Sequence, residues 1–156
     1  KPTLTTFCQQ LTGITQEVVS TADEFPAVVS AFLQWLEGHG LDPNHLSGPP
    51  FIFLTHGDWD LREMLPKQMD HCDLSGKEGY DAQCLRRWIN LNPLFDAACC
   101  VTPGSLPRTA SGVESIAVHL QMRVEGRLHS GIDDARNIAR IALALLDAGC
   151  TFPTVD

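Results

Sequence analysis

One helix constrains this chain more than any other stretch. Residues 133–148 read as an amphipathic helix closed by Gly149. At about 100° per residue, Asp134, Ile138, Ile141 and Leu145 fall on one face. That face must be buried against the rest of the fold, so Asp134 sets a charge on the edge of a core-facing stripe. Such a carboxylate is costly unless it is paired, and a metal ion is one good partner. Asp133 points roughly a quarter-turn away, towards solvent or a capping role. His129 stands five residues ahead of Asp134, and the two together at the mouth of the helix are the leading candidates for chemistry. The competing reading is structural. Acids in a first helical turn satisfy free backbone N–H groups and the helix dipole, and a histidine ahead of a helix is commonly a surface residue.

The remaining pattern alternates helices with short apolar strands, which implies an α/β domain. Residues 5–11 and 15–22 read as short helices, the first closed by Gly13. From Pro26, the stripe of Val28, Val29, Phe32, Leu33 and Leu36 marks a longer helix. Residues 51–54 form a continuous apolar run bounded by turns, a buried strand. A helix over 61–65 follows, with Asp58 as N-cap and Pro66 as its stop. A second strand is expected at 87–91, helices at 94–100 and 113–122, a loop at 101–111 and a last strand at 151–155. Asp60 lies just past the carboxyl end of the first strand, where open α/β sheets place their ligand sites. If the 133–148 helix crosses that sheet, Asp60 and Asp134 converge. Two carboxylates on a divalent ion with a nearby histidine base are the layout of metal-dependent phosphoryl hydrolysis. Trp59 suits stacking on a base, or a place in the core or at its rim. Asp60 alone equally suits a first-turn acid.

The 156 residues, 44% hydrophobic and 19% charged, suit one domain spanning 1–156. No apolar run is long enough for a membrane span. The six cysteines contain no Cys-x-x-Cys pair, so reduced thiols in a cytoplasmic or nuclear protein are the simplest account. His71, Cys72 and Cys84 match no common metal-site spacing. A net charge of −8 argues against a broad basic surface that coats nucleic acid. It leaves room for an enzyme that grips a few phosphates through metal ions and local arginines. Arg127, Arg136 and Arg140 suit such contacts, or a solvated helix face.

Taken in order, the segments Phe7-Cys8, Leu11-Thr-Gly-Ile-Thr-Gln16, Gly57-Asp-Trp-Asp-Leu61, Trp88-Ile-Asn-Leu91 and His129-Ser-Gly-Ile-Asp-Asp-Ala-Arg-Asn-Ile-Ala139 resemble the Eri-type branch of the DEDDh 3′-to-5′ exoribonucleases. Order and rough spacing agree over nearly the whole chain. The resemblance implies an RNase H-like exonuclease fold, a mixed sheet with flanking helices. It also implies a two-metal hydrolase, with Mg²⁺ or Mn²⁺, that releases mononucleotides from RNA 3′ ends, and it implies no membrane partner. By residue, it makes Asp60 and Asp134 metal ligands and His129 the general base. Phe7, Leu11 and Trp59 line the pocket for the terminal nucleotide. Phe7 and Leu11 are also one helical turn apart, which is ordinary core spacing.

The family's first motif, an Asp-x-Glu on a central strand, has no match in these residues, and the chain opens on Lys1 rather than Met. The expectation is a fragment missing its first strands and two of four acidic ligands. Alone, it should bind metal weakly, be inactive or nearly so, and fold less well. The alternatives are a non-catalytic isoform or degenerate copy that binds RNA ends or protein partners, and an interaction module whose motif remnants are structural.

Overall fold

The computed structural model of the chain describes residues 2–47, 50–80, 82–98 and 112–152. Its elements run α1 (Thr6–Thr12), α2 (Gln16–Thr21), α3 (Phe25–Gly38), β1 (Phe53–Thr55), α4 (Leu65–His71), β2 (Trp88–Asn90), α5 (Leu91–Ala98), α6 (Gly112–His119) and α7 (Gly131–Asp147). A π-helical turn at Asp60–Met64 leads into α4, and a 3₁₀ turn at Gln83–Arg86 precedes β2. The chain divides into two compact units, one made of Lys1–Ala22 with Leu91–Asp156, the other of Asp23–Asn90.

In the first unit, Thr5 and Thr15 open α1 and α2 by the same device. Each threonine hydroxyl accepts from a backbone N–H in the first turn, Cys8 at 3.1 Å and Val18 at 3.3 Å, satisfying one of the orphan donors of a helix start. Gly13 ends α1 in the left-handed region (φ 77°), its N–H returning to the Gln9 carbonyl. Gln16 then spends its side-chain amide on the segment ahead of α1, accepting from the Leu4 N–H at 2.7 Å and donating to the Pro2 carbonyl at 3.3 Å. The core of this unit comes from the apolar stripes of three helices. α7 packs against α5 and α6, and Leu91, Phe95, Ile116, Ile141 and Leu145 are buried there.

In the second unit, β1 and β2 pair in parallel, with Phe53 opposite Trp88, Leu54 opposite Ile89 and Thr55 opposite Asn90. Parallel neighbours need a long crossover, and the π turn and α4 lie on it. The core gathers Val29, Leu33 and Leu36 of α3 with Met69, Leu74, Ala82 and Cys84. Burial pushes the Cys84 thiol up to about 11, which leaves it a small apolar filler rather than a thiolate ligand or nucleophile.

Several boundaries differ from the sequence expectation. Pro66 does not stop a helix. In a continuous α-helix its ring would collide with the Arg62 carbonyl and its missing N–H would break the ladder. The chain instead widens into the π turn, where the Leu65 N–H bonds to the Asp60 carbonyl. Pro66 then sits in the first turn of α4, where no N–H is needed. The helix expected at 94–100 begins at Leu91, directly after β2. The loop at 101–111 lies outside the described residues. So do 153–155 of the last expected strand, and Thr151 and Phe152 have no regular structure. Among the described residues the sheet is the parallel pair alone.

Leu36 is 1% exposed and Leu46 is 87% exposed. Leu36→Ala should therefore cost about 2–5 kcal/mol in urea unfolding, whereas Leu46→Ala should change stability by less than about 0.5 kcal/mol.

Candidate active site

The six sequence candidates fall on both units. Trp59 and Asp60 belong to Asp23–Asn90, while Phe7, Leu11, His129 and Asp134 belong to the other.

Trp59 and Asp60 follow a turn that β2 holds in place. Gly57 leaves β1 in the left-handed region (φ 88°), and its N–H donates to the Asn90 side-chain oxygen at 3.1 Å. The Thr55 hydroxyl donates to the Gly57 carbonyl at 2.7 Å. Asp58 is not the helix cap expected from the sequence. Its carboxylate accepts from the Trp88 indole N–H at 2.8 Å and pairs with Arg62 at 3.3 Å. The Trp88 indole first, then Arg62 and Asn90, hold that carboxyl below the usual carboxylate range. The segments Gly57–Leu61 and Trp88–Leu91 thus clasp one another. The clasp presents Trp59, 62% exposed, with the Lys67 ammonium 5.3 Å from its ring centroid. Lys67 is itself paired with Glu63 at 2.9 Å. The Asp60 carboxylate is exposed and makes no hydrogen bond or ion pair among the described residues.

In the other unit, α1 carries Phe7 and Leu11 on its surface, 68% and 36% exposed, so the core reading of that spacing does not hold. His129 lies in the loop ahead of α7, exposed, with φ 65°. Ser130 is the N-cap of α7, and Asp133 and Asp134 are in its first turn. The two neighbouring acids have opposite fates. Asp133 takes the capping role. It accepts from the Arg127 N–H at 3.1 Å and pairs with Arg136 at 3.5 Å. The Arg127 N–H, the Ser130 hydroxyl and Arg136 together hold its carboxyl below the usual range. Asp134 is half-buried, in line with Ile141, and its carboxylate has no hydrogen bond or ion pair among the described residues. Asp58 and Asp60 repeat this contrast: one acid is committed to the fold and its near neighbour is left available.

Arginine behaviour also departs from the sequence expectation. Arg127 donates to the Gln10 carbonyl at the end of α1. Arg140 donates to the Arg123 carbonyl at 2.9 Å and pairs with Glu125 at 3.1 Å. None of Arg127, Arg136 and Arg140 is a free solvated charge; all three bind the loop that carries His129 or the helix start behind it. Asn137, Asp58, Trp88 and Asn90 were not among the sequence candidates. Asn137 was within reach of the same helical wheel, since it lies about 40° from Ile141.

Among the described residues, no three His, Cys, Asp or Glu side chains group closely enough to hold a metal ion. A Cβ on Gly57 would meet nothing within 4 Å, so Gly57→Ala isolates backbone strain. It should cost about 1–2 kcal/mol in thermal or urea unfolding. A neutral result would show that the turn accommodates a negative φ.

A family model described as Exonuclease, of the RNase T type, matches residues 1–142. The chain is 35% identical over 147 residues to 3′-5′ exoribonuclease 1 of Rattus norvegicus, covering 94% of this chain and 39% of that protein. It is 38% identical over 152 residues to ERI1 exoribonuclease 3 of Homo sapiens, covering 97% and 41% respectively. The chain therefore spans about two fifths of the length of these curated relatives. Its structure superposes on the nuclease domain of 3′hExo, a DEDDh family member solved with rAMP, with a TM-score of 0.80 at 31% identity, over 98% of this chain and 70% of that one. The fold is thus the α/β, RNase H-like fold of DEDDh nuclease domains. With a match over most of its length and relatives of this kind, the chain belongs to the exonuclease family, in the Eri-type DEDDh branch.

Proposed function

We propose that this chain is part of one exonuclease domain that hydrolyses RNA from its 3′ end, one nucleotide at a time. The observation that carries the reading is the opening of α7. There an exposed histidine in a left-handed backbone position stands five residues ahead of a half-buried carboxylate that the fold leaves unpaired among the described residues. A structural acid at a helix start behaves as Asp133 does; Asp134 does not. The exposed rings of Phe7 and Trp59 support the reading as surfaces for a terminal base and ribose.

The DEDDh family depends on divalent metal. Asp60 and Asp134 fit that need in kind, since ionised carboxylates are hard oxygen donors suited to Mg²⁺ or Mn²⁺. The described residues alone do not assemble a three-donor group. Asp60 and Asp134 are assigned as metal ligands in a two-ion site, and such ions, when bound, polarise a phosphoryl oxygen and stabilise charge on the attacking and leaving oxygens. His129 supplies the base. A ring nitrogen takes a proton from the attacking water as its oxygen bonds to phosphorus and the 3′ oxygen of the next nucleotide leaves. The products are a 5′-mononucleotide and an RNA shortened by one residue. Phe7, Leu11 and Trp59 orient the terminal nucleotide. Among the described residues, no helix is long and apolar enough to cross a membrane. Free Cys8, Cys72, Cys84 and Cys150 suit a reducing compartment, cytoplasmic or nuclear.

The test uses the full-length gene product, a 5′-labelled RNA with a free 3′ hydroxyl, and Mg²⁺. Shortening by single nucleotides is expected, and His129→Ala should lower kcat by about 10²–10⁴-fold. Asp60→Asn and Asp134→Asn should each abolish detectable turnover. The 156-residue polypeptide alone should hydrolyse the same RNA weakly or not at all. Internal cleavage, or full rates in the three variants, overturns the assignment. Tight binding of RNA ends without hydrolysis by the full-length product would replace it with a non-catalytic end-binding protein.

A further inference from the structure

We propose that Asn137 is the positioning residue of His129: its buried side-chain amide ties the loop that carries the histidine to the helix that carries Asp134. The inference rests on the reading of His129 as the general base.

Asn137 is 2% exposed and is the buried polar residue of α7. A carboxamide offers two N–H donors and two acceptor lone pairs, and here all four are used. Its nitrogen donates to the Glu125 carbonyl and to the Asp133 carbonyl, each at 2.8 Å. Its oxygen accepts from the Glu125 N–H at 2.9 Å and from an Arg140 guanidinium nitrogen at 3.1 Å. Both backbone groups of Glu125 are therefore paired with one side chain, as a neighbouring strand would pair them. Aspartate lacks both donors, and an apolar residue would leave the Glu125 groups without that partner.

Two further rungs stand on the same helix. Below Asn137, Arg140 holds the Arg123 carbonyl; above it, Asp133 holds the Arg127 N–H. Gly126 sits between, in the left-handed region (φ 73°), where a Cβ would lie 2.4 Å from the Asp133 carboxyl carbon. The segment from Arg123 to Arg127 is thus fixed along α7 and ends two residues short of His129. His129 itself has φ 65°, a conformation that costs a non-glycine residue about 1–2 kcal/mol and persists only where the surroundings over-determine it. The three rungs supply that determination, and Asn137 is the rung that is both buried and fully bonded. Asn137 touches no reacting atom in this scheme; it acts through the place it gives His129.

Four forms of the full-length gene product test this at saturating RNA: wild type, Asn137→Ala, His129→Ala and the double variant. Asn137→Ala should lower kcat by about 30–100-fold with KM changed by less than about threefold, the loss expected when a base is held loosely. The double variant should match His129→Ala within about threefold, because no histidine remains to be positioned. A merely structural asparagine would multiply its loss onto that of His129→Ala, and this outcome overturns the proposal. If Asn137→Ala does not fold, Arg140→Ala removes the outer rung. It should lower kcat by about 3–10-fold in the wild type and not at all beside His129→Ala. A metal-free readout stands beside the kinetics: hydrogen exchange across residues 123–130 should quicken by about tenfold or more in Asn137→Ala. Unchanged exchange also overturns the proposal. Full hydrolysis by His129→Ala would instead overturn the general-base reading on which the proposal rests.

Discussion

A polypeptide that must present reactive side chains outside helices and strands still has to pair its backbone N–H and C=O groups. In this chain, side-chain amides meet that demand. Asn90 accepts from the Gly57 N–H at the turn before Asp60. Asn137 pairs both backbone groups of Glu125 ahead of His129. Gln16 accepts from the Leu4 N–H and donates to the Pro2 carbonyl beside the helix that carries Phe7. Each amide does what a neighbouring strand does elsewhere, at a point where no strand is available. A carboxylate accepts only and an ammonium donates only, so neither can pair an N–H and a C=O together. That asymmetry explains why Asn and Gln stand within the segments that resemble exonuclease motifs. The acids and the histidine are placed by them.

How legible this was in the sequence varies with the physics of each element. α7 was legible because its burial is one-sided and long enough for the 3.6-residue period to show. α1 and α2 were legible from Thr5, Gly13 and Thr15, whose cap chemistry is local. The parallel strands were placed within one to three residues because short apolar runs define an interior but not a register. Pro66 was misread because proline reports only that an ordinary α-helix cannot continue. It does not report that a π turn can precede it and make it a first-turn residue. Asp58 was misread because a cap is a local prediction, whereas its partner, Trp88, lies 30 residues away. Asn137 was passed over because its polarity places it off the apolar stripe, and only the tertiary loop at Glu125 makes burial affordable there. The arginines were taken as phosphate contacts or solvated charge because sequence cannot show that Gln10 and Arg123 offer carbonyls to them.

Exposed apolar surface carries its own message. Phe7 and Trp59 are each more than half exposed, although both lie beside helices with buried positions to offer. A chain selected for stability alone gains by covering such rings, at about 25 cal/mol per Å² of apolar area removed from water. Trp59 is partly compensated by the Lys67 ammonium over its ring, and Glu63 holds that lysine. The ring is steadied without being covered, which suits an aromatic surface that must accept another flat group.

The paired acids join these threads. Asp58 and Asp133 are each bound by at least two partners, and in both cases the partners hold the carboxyl below its usual range. Their ionisation is spent on the fold. Asp60 and Asp134, two residues and one residue along, have no partner among the described residues. Two unpaired carboxylates near committed ones add like-charge repulsion and, for half-buried Asp134, desolvation. Neither cost brings a structural return in these units. A cation at the carboxylates offsets both at once, because it removes the repulsion and replaces the lost hydration. The bound acids fix where the free ones point, the side-chain amides fix the loops, and the charge left over is the charge a divalent ion would satisfy.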